Sequence, residues 1–171
     1  VLICASVTAD EAVPALSARL QEQLGLDEHL FAFDLNAACS GYVYSLAVAR
    51  KLLTSYPPGS AALIVGAEVL SRHIDEDDRS NCFLFGDGAG ASLWTLVEGD
   101  EDLFAAKTVG NRDMLSLGYA TEPIRMDGRA VFRFAVSQMS GVIRPVLEAG
   151  EVAPGEVCLL STSAAADDLP C

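Results

Sequence analysis

The chain has 171 residues, with 24 aspartates and glutamates against 11 lysines and arginines and a formal net charge of −13 at pH 7. That charge argues against a nucleic-acid-binding protein, because phosphates would be repelled over the whole surface. Apolar residues make up 51% of the sequence and the mean hydropathy is +0.32. No apolar run reaches the roughly 20 residues that a membrane helix needs. The length suits one domain of ordinary size.

The first part of the chain alternates strand-like and helical patterns, which favours an α/β layered fold. The predicted elements are strands at 1–7, 31–36 and 61–66 and helices at 14–24 and 39–55. Leucines four apart give the first helix one apolar face, and Gly25 ends it. The second helix is apolar nearly all round, which is typical of a helix in the middle of a fold. The chain opens inside a strand, without the basic region of a signal peptide, and looks cut there.

The second part of the chain has a weaker pattern. The glycines of Gly86–Gly90 separate two apolar runs, and their GxGxG spacing before a strand does not match a dinucleotide-binding loop. We interpret them as close backbone packing or a tight turn. Residues 98–102 are a polar connector. Beyond it we predict strands at 103–109 and 157–160 and a helix at 131–149, which Pro145 should kink or shorten.

Three arginines form a possible basic stripe. Arg125, Arg129 and Arg133 lie four apart, so a helix would place them on one face. Two interpretations stay open for this basic stripe: a solvated helix face, or a docking patch for an anionic ligand or partner.

Metal chemistry is not indicated. Five cysteines at irregular spacing, without a CxxC pair, are typical of a reducing cytosol, so we expect a cytoplasmic protein without disulfides. Two histidines are too few for a zinc site, and we expect His29 in a surface turn and His73 in a polar surface loop. The acidic run Asp75–Asp78 lacks the glycine of a calcium loop and is interpreted as a solvated turn.

Cys39 is the candidate nucleophile. It lies where the predicted strand that ends near Asn36 gives way to the long apolar helix. The positive end of a helix dipole and its free N–H groups favour thiolate, which is the nucleophilic form of cysteine. The alternative, a thiol packed into the core as a small hydrophobe, stays open at this point.

Several segments together resemble the β-ketoacyl-[acyl-carrier-protein] synthase III family of the thiolase superfamily. They are Phe33–Gly41, Val65–Ser71 leading into Asp78-Arg79, Phe85–Ala91 and Met126–Phe132. The resemblance implies a thiolase-like αβαβα layered fold, here partial, with a buried central helix. Residues 1–98 would be the C-terminal part of the half that carries the nucleophile. Residues 99–171 would be the truncated start of the C-terminal half.

The resemblance also implies a chemistry. An acyl group would pass from acyl-CoA to Cys39, and malonyl-carrier protein would then lose CO₂ and attack the thioester. The backbone N–H of Cys39 would donate to the tetrahedral oxyanion. Acyl-CoA as substrate, acyl carrier protein as partner, a homodimer and no further cofactor are implied, in fatty-acid or polyketide synthesis.

Binding roles follow from the same resemblance. Arg79 would contact the adenine end of CoA, with a surface salt bridge to Asp77 or Asp78 as the alternative. The basic stripe would suit an acidic carrier protein.

Four apolar residues complete the implied site. Leu70 and Phe85 would line the acyl pocket, unless they simply belong to the core, and Phe132 would lie near the pantetheine tunnel. Val13 matches the position that a partner subunit inserts into the acyl pocket. A side chain smaller than phenylalanine there suggests room for a longer or branched acyl group.

The chain departs from the family pattern near its end. The family uses a histidine and an asparagine for decarboxylation, and counting on from residues 157–160 places the histidine at Ser163 and the asparagine beyond Cys171. The chain thus resembles the middle of a family member: a fragment of a disrupted gene, a cut domain, or a non-catalytic homologue that binds acyl groups or carrier protein. Another condensing enzyme of the superfamily is a further alternative. Uncovered apolar surface should cause association.

Overall fold

The computed structural model describes residues 1–97, 103–118 and 122–157. Its elements are β1 (Leu2–Ala5), α1 (Leu16–Leu24), β2 (Ala32–Leu35), α2 (Gly41–Leu53), β3 (Ala61–Val69), β4 (Asp87–Thr95), β5 (Leu115–Ser116), β6 (Arg125–Met126) and α3 (Gly128–Ala149). Short 3-10 helices span Ala38–Ser40, Leu70–His73 and Pro154–Glu156. Within the described ranges, no helix is both long and apolar enough to cross a membrane.

The described chain divides into two units. The first contains residues 1–70 and the described residues from Gly86 to Val97, and the second contains residues 71–85 and the described residues after 102. The first unit carries a four-stranded sheet in the order β2-β1-β3-β4, and the second carries the β5–β6 pair and α3. The assignment of residues 1–98 and 99–171 to two halves of a duplicated fold stays a prediction.

The sheet of the first unit is layered between helices. β1 pairs in parallel with β2 on one side and β3 on the other, and β4 runs antiparallel to β3. The connections through α1 and α2 cross the sheet in opposite directions. Because such crossovers are right-handed, the two helices cover opposite faces. The predicted α/β layered fold is confirmed.

The core of the first unit surrounds β1. Ile3 and Ile64 pack with Ala49 and Leu53 of α2, and all four are buried. Leu2 and Cys4 are fully buried too, although successive side chains of a strand point to opposite faces. A strand with both faces buried is what a continuous apolar run predicts.

The two helices of the first unit differ in how far they meet the prediction. α1 ends at Gly25, whose φ of 61° is left-handed, as predicted. For α2 the sequence predicted burial nearly all round, whereas the buried residues form one stripe with a spacing of four, and Val43 is 47% exposed. These buried residues are Gly41, Ser45, Ala49 and Leu53.

The glycine-rich segment was interpreted wrongly. Gly88 and Gly90 lie inside β4, paired with Glu68 and Gly66 of β3, and form no tight turn. A Cβ atom at either glycine would meet nothing within 4 Å among the described residues, so close packing does not explain them. Pairing with the nine-residue β3 overrides the low strand propensity of glycine.

The second unit contains the longest helix. α3 begins after Asp127, whose side chain accepts a hydrogen bond from the Ala130 N–H at 2.9 Å, an N-cap. It continues through Pro145 to Ala149, so the proline does not shorten it.

The strand predicted at 103–109 is wrong, since these residues have no regular structure. In the last predicted strand Val157 is not in a strand, and residues 158–160 lie outside the described residues.

One histidine was placed wrongly. His73 is only 5% exposed, and its Nδ1 lies 2.9 Å from the Glu122 carbonyl oxygen. Its own carbonyl accepts a hydrogen bond from the Ile124 N–H at 2.8 Å. These bonds hold the polar segment around His73 in the interior of the second unit. His29 is exposed in a turn, as predicted.

Candidate active site

The carboxyl ends of β1, β2 and β3 meet at one edge of the sheet. The chain leaves β1 toward one face and leaves β2 toward the other, so the strand order changes direction between the ends of these two strands. In open α/β sheets such a switch point is where ligands bind. Two segments border it: residues 6–15, which we call the β1–α1 loop, and residues 36–40, which carry Cys39.

Cys39 lies in a short 3-10 helix between β2 and α2. The preceding Ala38 has φ +46°, an uncommon value for a residue with a Cβ, and its N–H donates to the Asn36 side chain at 3.4 Å. This left-handed residue turns the chain sharply from strand to helix. The Cys39 side chain is exposed, so the alternative of a core thiol is wrong for this residue.

The start of α2 presses directly on β1. A Cβ on Gly41 would lie 3.0 Å from the Cβ of Ala5, so glycine permits this close approach. The Ser45 hydroxyl donates to the Gly41 carbonyl at 2.7 Å, inside the buried stripe. The space beside Gly41 is therefore filled by β1. Cys39 lies two residues before this contact.

A second cysteine near this edge has the opposite character. Cys4 is fully buried in β1. Burial, and secondarily the negative charge of Asp34 on the neighbouring strand, raises the pKa of the Cys4 thiol from 9.0 to about 12. Cys4 is a neutral packing thiol, whereas Cys39 is accessible to a substrate.

The far end of the β1–α1 loop is held by Asp34 of β2. Its two carboxylate oxygens accept hydrogen bonds from the N–H groups of Leu16 and Ser17, at 2.7 and 2.8 Å. These are the first N–H groups of α1, whose own N-cap residue is an alanine without a side-chain bond. The Asp34 carboxylate of β2 therefore takes the place of an N-cap side chain for α1.

The near end of the loop is held by Glu68 of β3. The Glu68 carboxylate accepts from the Val7 N–H at 3.0 Å and from the Thr8 hydroxyl at 2.6 Å. The Thr8 hydroxyl oxygen also accepts from the Val69 N–H at 2.8 Å. Sequence reasoning missed both carboxylates. The available signal was a charged residue inside one predicted strand, Asp34 in 31–36, and one just after another, Glu68 after 61–66.

Two further predicted site residues belong to this unit. Val13 lies on the β1–α1 loop between the two anchors and is 86% exposed. Leu70 follows β3 directly in a 3-10 helix and is half-buried. Cys39, Val13 and Leu70 therefore all belong to segments that follow the carboxyl ends of the parallel strands.

Arg79 belongs to the second unit and is exposed. Within the described ranges no ion pair joins it to Asp77 or Asp78. The Asp78 carboxylate instead accepts from the Ser80 hydroxyl, the Ser80 N–H and the Asn81 side chain. The hydrogen bonds from Ser80 come first among the causes that lower the pKa of Asp78. The salt-bridge alternative is wrong for the described chain.

The remaining predicted residues also belong to the second unit. Phe85 is half-buried and Phe132 is 69% exposed on α3. The basic stripe is broken, because Arg125 lies in β6 and only Arg129 and Arg133 lie on α3. The prediction of three arginines on one helix is therefore wrong.

Comparison with known proteins finds sequence similarity to one enzyme family. A family model described as 3-oxoacyl-[acyl-carrier-protein (ACP)] synthase III matches residues 33–110. A β-ketoacyl-[acyl-carrier-protein] synthase III of Streptococcus uberis is 41% identical, over 91% of this chain and 52% of its own length. The one of Aquifex aeolicus is 40% identical, over 93% and 52%. The chain spans about half the length of the curated relatives it matches.

Solved structures show the same correspondence. The Pseudomonas aeruginosa 3-oxoacyl-(acyl carrier protein) synthase III superposes with a TM-score of 0.77 at 38% identity, covering 88% of this chain and 49% of that one. The Aquifex aeolicus structure gives 0.79 at 38% identity, over 91% and 51%. A priming β-ketosynthase of a polyketide pathway gives 0.75 at 28% identity, over 90% and 49%.

Proposed function

Because the chain belongs to the 3-oxoacyl-[acyl-carrier-protein] synthase III family, we propose that it accepts an acyl group from acyl-CoA on Cys39. The observation that supports this most is the placement of the thiol. Cys39 is exposed beside the switch point between β1 and β2, on a left-handed turn that is followed by the buried start of α2. A fixed, accessible thiol at a helix start is a suitable covalent nucleophile.

The proposed step is a thioester exchange. The Cys39 Sγ attacks the acyl carbonyl carbon, a tetrahedral oxyanion forms, and the CoA thiolate leaves as the carbonyl re-forms. Backbone N–H groups at the Cys39 turn would stabilise the oxyanion. In the full family reaction the carbanion from decarboxylated malonyl-carrier protein then attacks this thioester and releases the Cys39 thiolate. The role of the chain would be priming in fatty-acid or polyketide synthesis.

The other predicted residues have proposed binding roles. Arg79 would contact the adenine end of CoA, Leu70 and Phe85 the acyl chain, and Phe132 the pantetheine arm. Val13 would contact the acyl chain at a second copy of this chain in a homodimer. Acyl carrier protein as partner and a cytoplasmic location stay predictions of the same kind.

The test is the mass of the protein after incubation with acyl-CoA. We expect an adduct equal to one acyl group on the peptide that contains Cys39, sensitive to neutral hydroxylamine. Cys39→Ala should abolish the adduct, whereas Cys82→Ala, at a half-buried cysteine of the other unit, should retain it. An adduct that survives Cys39→Ala, or no adduct at all, would contradict the proposal.

Decarboxylation and condensation, the second half of the family reaction, distinguish between the alternative functions. We expect no release of CO₂ from malonyl-CoA by this chain alone, because the counted histidine position is Ser163. Turnover to a β-ketoacyl product would show that other residues supply the decarboxylation chemistry. Binding of acyl-CoA or carrier protein without any thioester would favour a non-catalytic homologue. Acylation followed by condensation with a different acceptor would favour another condensing enzyme of the superfamily.

A further inference from the structure

The β1–α1 loop is anchored at both ends by carboxylates from different strands. Asp34 of β2 holds the start of α1, and Glu68 of β3 holds Val7 and Thr8 at the end of β1. Charge-assisted hydrogen bonds of this kind are the strong ones. The residues between the anchors include Val13, an apolar side chain that is 86% exposed.

The anchoring strands flank the strand from which the loop emerges. In the sheet order β2-β1-β3, the two anchoring strands lie on either side of β1. β2 also leads directly to Cys39, and the Gly41 end of α2 rests on Ala5, the last residue of β1. The loop and the Cys39 turn therefore share the ends of β1 and β2, and β3 adds a further anchor to the loop.

We infer that Asp34 and Glu68 are positioning residues of the acyl-acceptor site, which fix the β1–α1 loop with Val13 and so set which acyl group is accepted by Cys39 of a second copy of the chain in the proposed homodimer. This inference rests on the proposed function. Neither carboxylate touches the acyl group. Asp34 acts through the N–H groups of Leu16 and Ser17. Glu68 acts through the Val7 N–H and the Thr8 hydroxyl.

Thr8 allows the most conservative test. It is 7% exposed, and its hydroxyl bonds both Glu68 and the Val69 N–H. Thr8→Val keeps the shape and removes the hydroxyl, while Thr8→Ser restores it. Asp34→Asn weakens the other anchor independently. Thr54→Val is the matched control, because the Thr54 hydroxyl bonds the Lys51 carbonyl at the exposed end of α2.

Two measurements are made on each variant of the whole chain. Amide hydrogen exchange of residues 6–17 should be about tenfold faster in Thr8→Val and Asp34→Asn and normal in Thr8→Ser and Thr54→Val. The ratio of Cys39 acylation rates with acetyl-CoA and octanoyl-CoA should change about three- to tenfold in the first two variants only.

The outcomes separate this inference from the proposed function. Faster exchange with an unchanged acylation ratio overturns the inference alone, since the loop would then be anchored without affecting selectivity. The inference is also overturned if Thr8→Ser behaves like Thr8→Val, or if Thr54→Val shifts the ratio equally. A wild-type chain that forms no thioester with either acyl-CoA overturns the proposed function, and this inference with it.

Discussion

Two buried serines of the first unit differ in whether the side-chain hydroxyl forms a hydrogen bond. Ser17 in α1 is 1% exposed, and its hydroxyl is the buried side-chain group without a partner among the described residues. Ser45 in α2 is fully buried, and its hydroxyl donates to the Gly41 carbonyl at 2.7 Å. A buried hydroxyl without a partner destabilises the folded state by its desolvation cost. A buried hydroxyl that forms a hydrogen bond stabilises the folded state by about 1 kcal/mol net.

Alanine at these two positions should therefore shift stability in opposite directions. We expect Ser17→Ala to raise the free energy of unfolding by about 1 kcal/mol, and Ser45→Ala to lower it by about the same amount. Urea unfolding followed by circular dichroism measures both changes. Equal losses of stability in the two variants would show that the Ser17 hydroxyl has a partner, such as an internal water.

Cys4 makes stability depend on pH in the alkaline range. Its pKa is about 12 when folded, because of burial and then the charge of Asp34, against 9.0 for an ordinary thiol. Between these values the unfolded chain releases a proton that the folded chain keeps. The unfolded state then binds fewer protons, so stability falls as pH rises, by about 1.4 kcal/mol per pH unit.

The check is a difference measurement. The free energy of unfolding of wild type minus that of Cys4→Ala should decrease between about pH 8 and about pH 10, because the contributions of other groups cancel in the difference. A pH-independent difference for Cys4→Ala would mean that the Cys4 thiol titrates normally.

At the level of elements, the sequence predicted best what depends on local pattern. Leucine spacing and Gly25 located α1, and continuous apolar runs located β1 and β3, because a helix or strand with a buried face must repeat at its own period. The strand expected at 103–109 is absent because an apolar run alone does not make a strand. Pairing with a neighbouring strand forms it, and no pairing partner can be read from a local pattern.

Long-range polar contacts were the part that sequence could not supply. The position of Cys39 between a strand and a helix was predicted, since both elements are local. Asp34 and Glu68 were visible only as charges in or just after predicted strands, and their partners lie 17 to 61 residues away. His73 was predicted to lie at the surface because its neighbours are polar, whereas bonds to the distant 122–124 segment bury it.

At the scale of the whole molecule, the longest helix, α3, has exposed apolar side chains among the described residues. Among its apolar residues, Phe132 is 69% and Val136 60% exposed, and both Met139 and Ile143 are also exposed. Part of the side of α3 that carries them borders a groove of about 840 Å³ that Val152 also lines. A soluble monomer rarely exposes a contiguous apolar patch of this kind.

We therefore expect the chain to self-associate with rising concentration through this side of α3. The double variant Val136→Gln, Met139→Gln should reduce the association measured by sedimentation velocity, because it removes apolar area without touching the helix cap at Asp127. Leu24→Gln is the control, since Leu24 is a single apolar residue, 55% exposed at the end of α1. A parent chain that stays monodisperse and monomeric at all concentrations would contradict the expectation. Association that Leu24→Gln reduces as much as the double variant would show that exposed apolar area in general, and not this side of α3, is responsible.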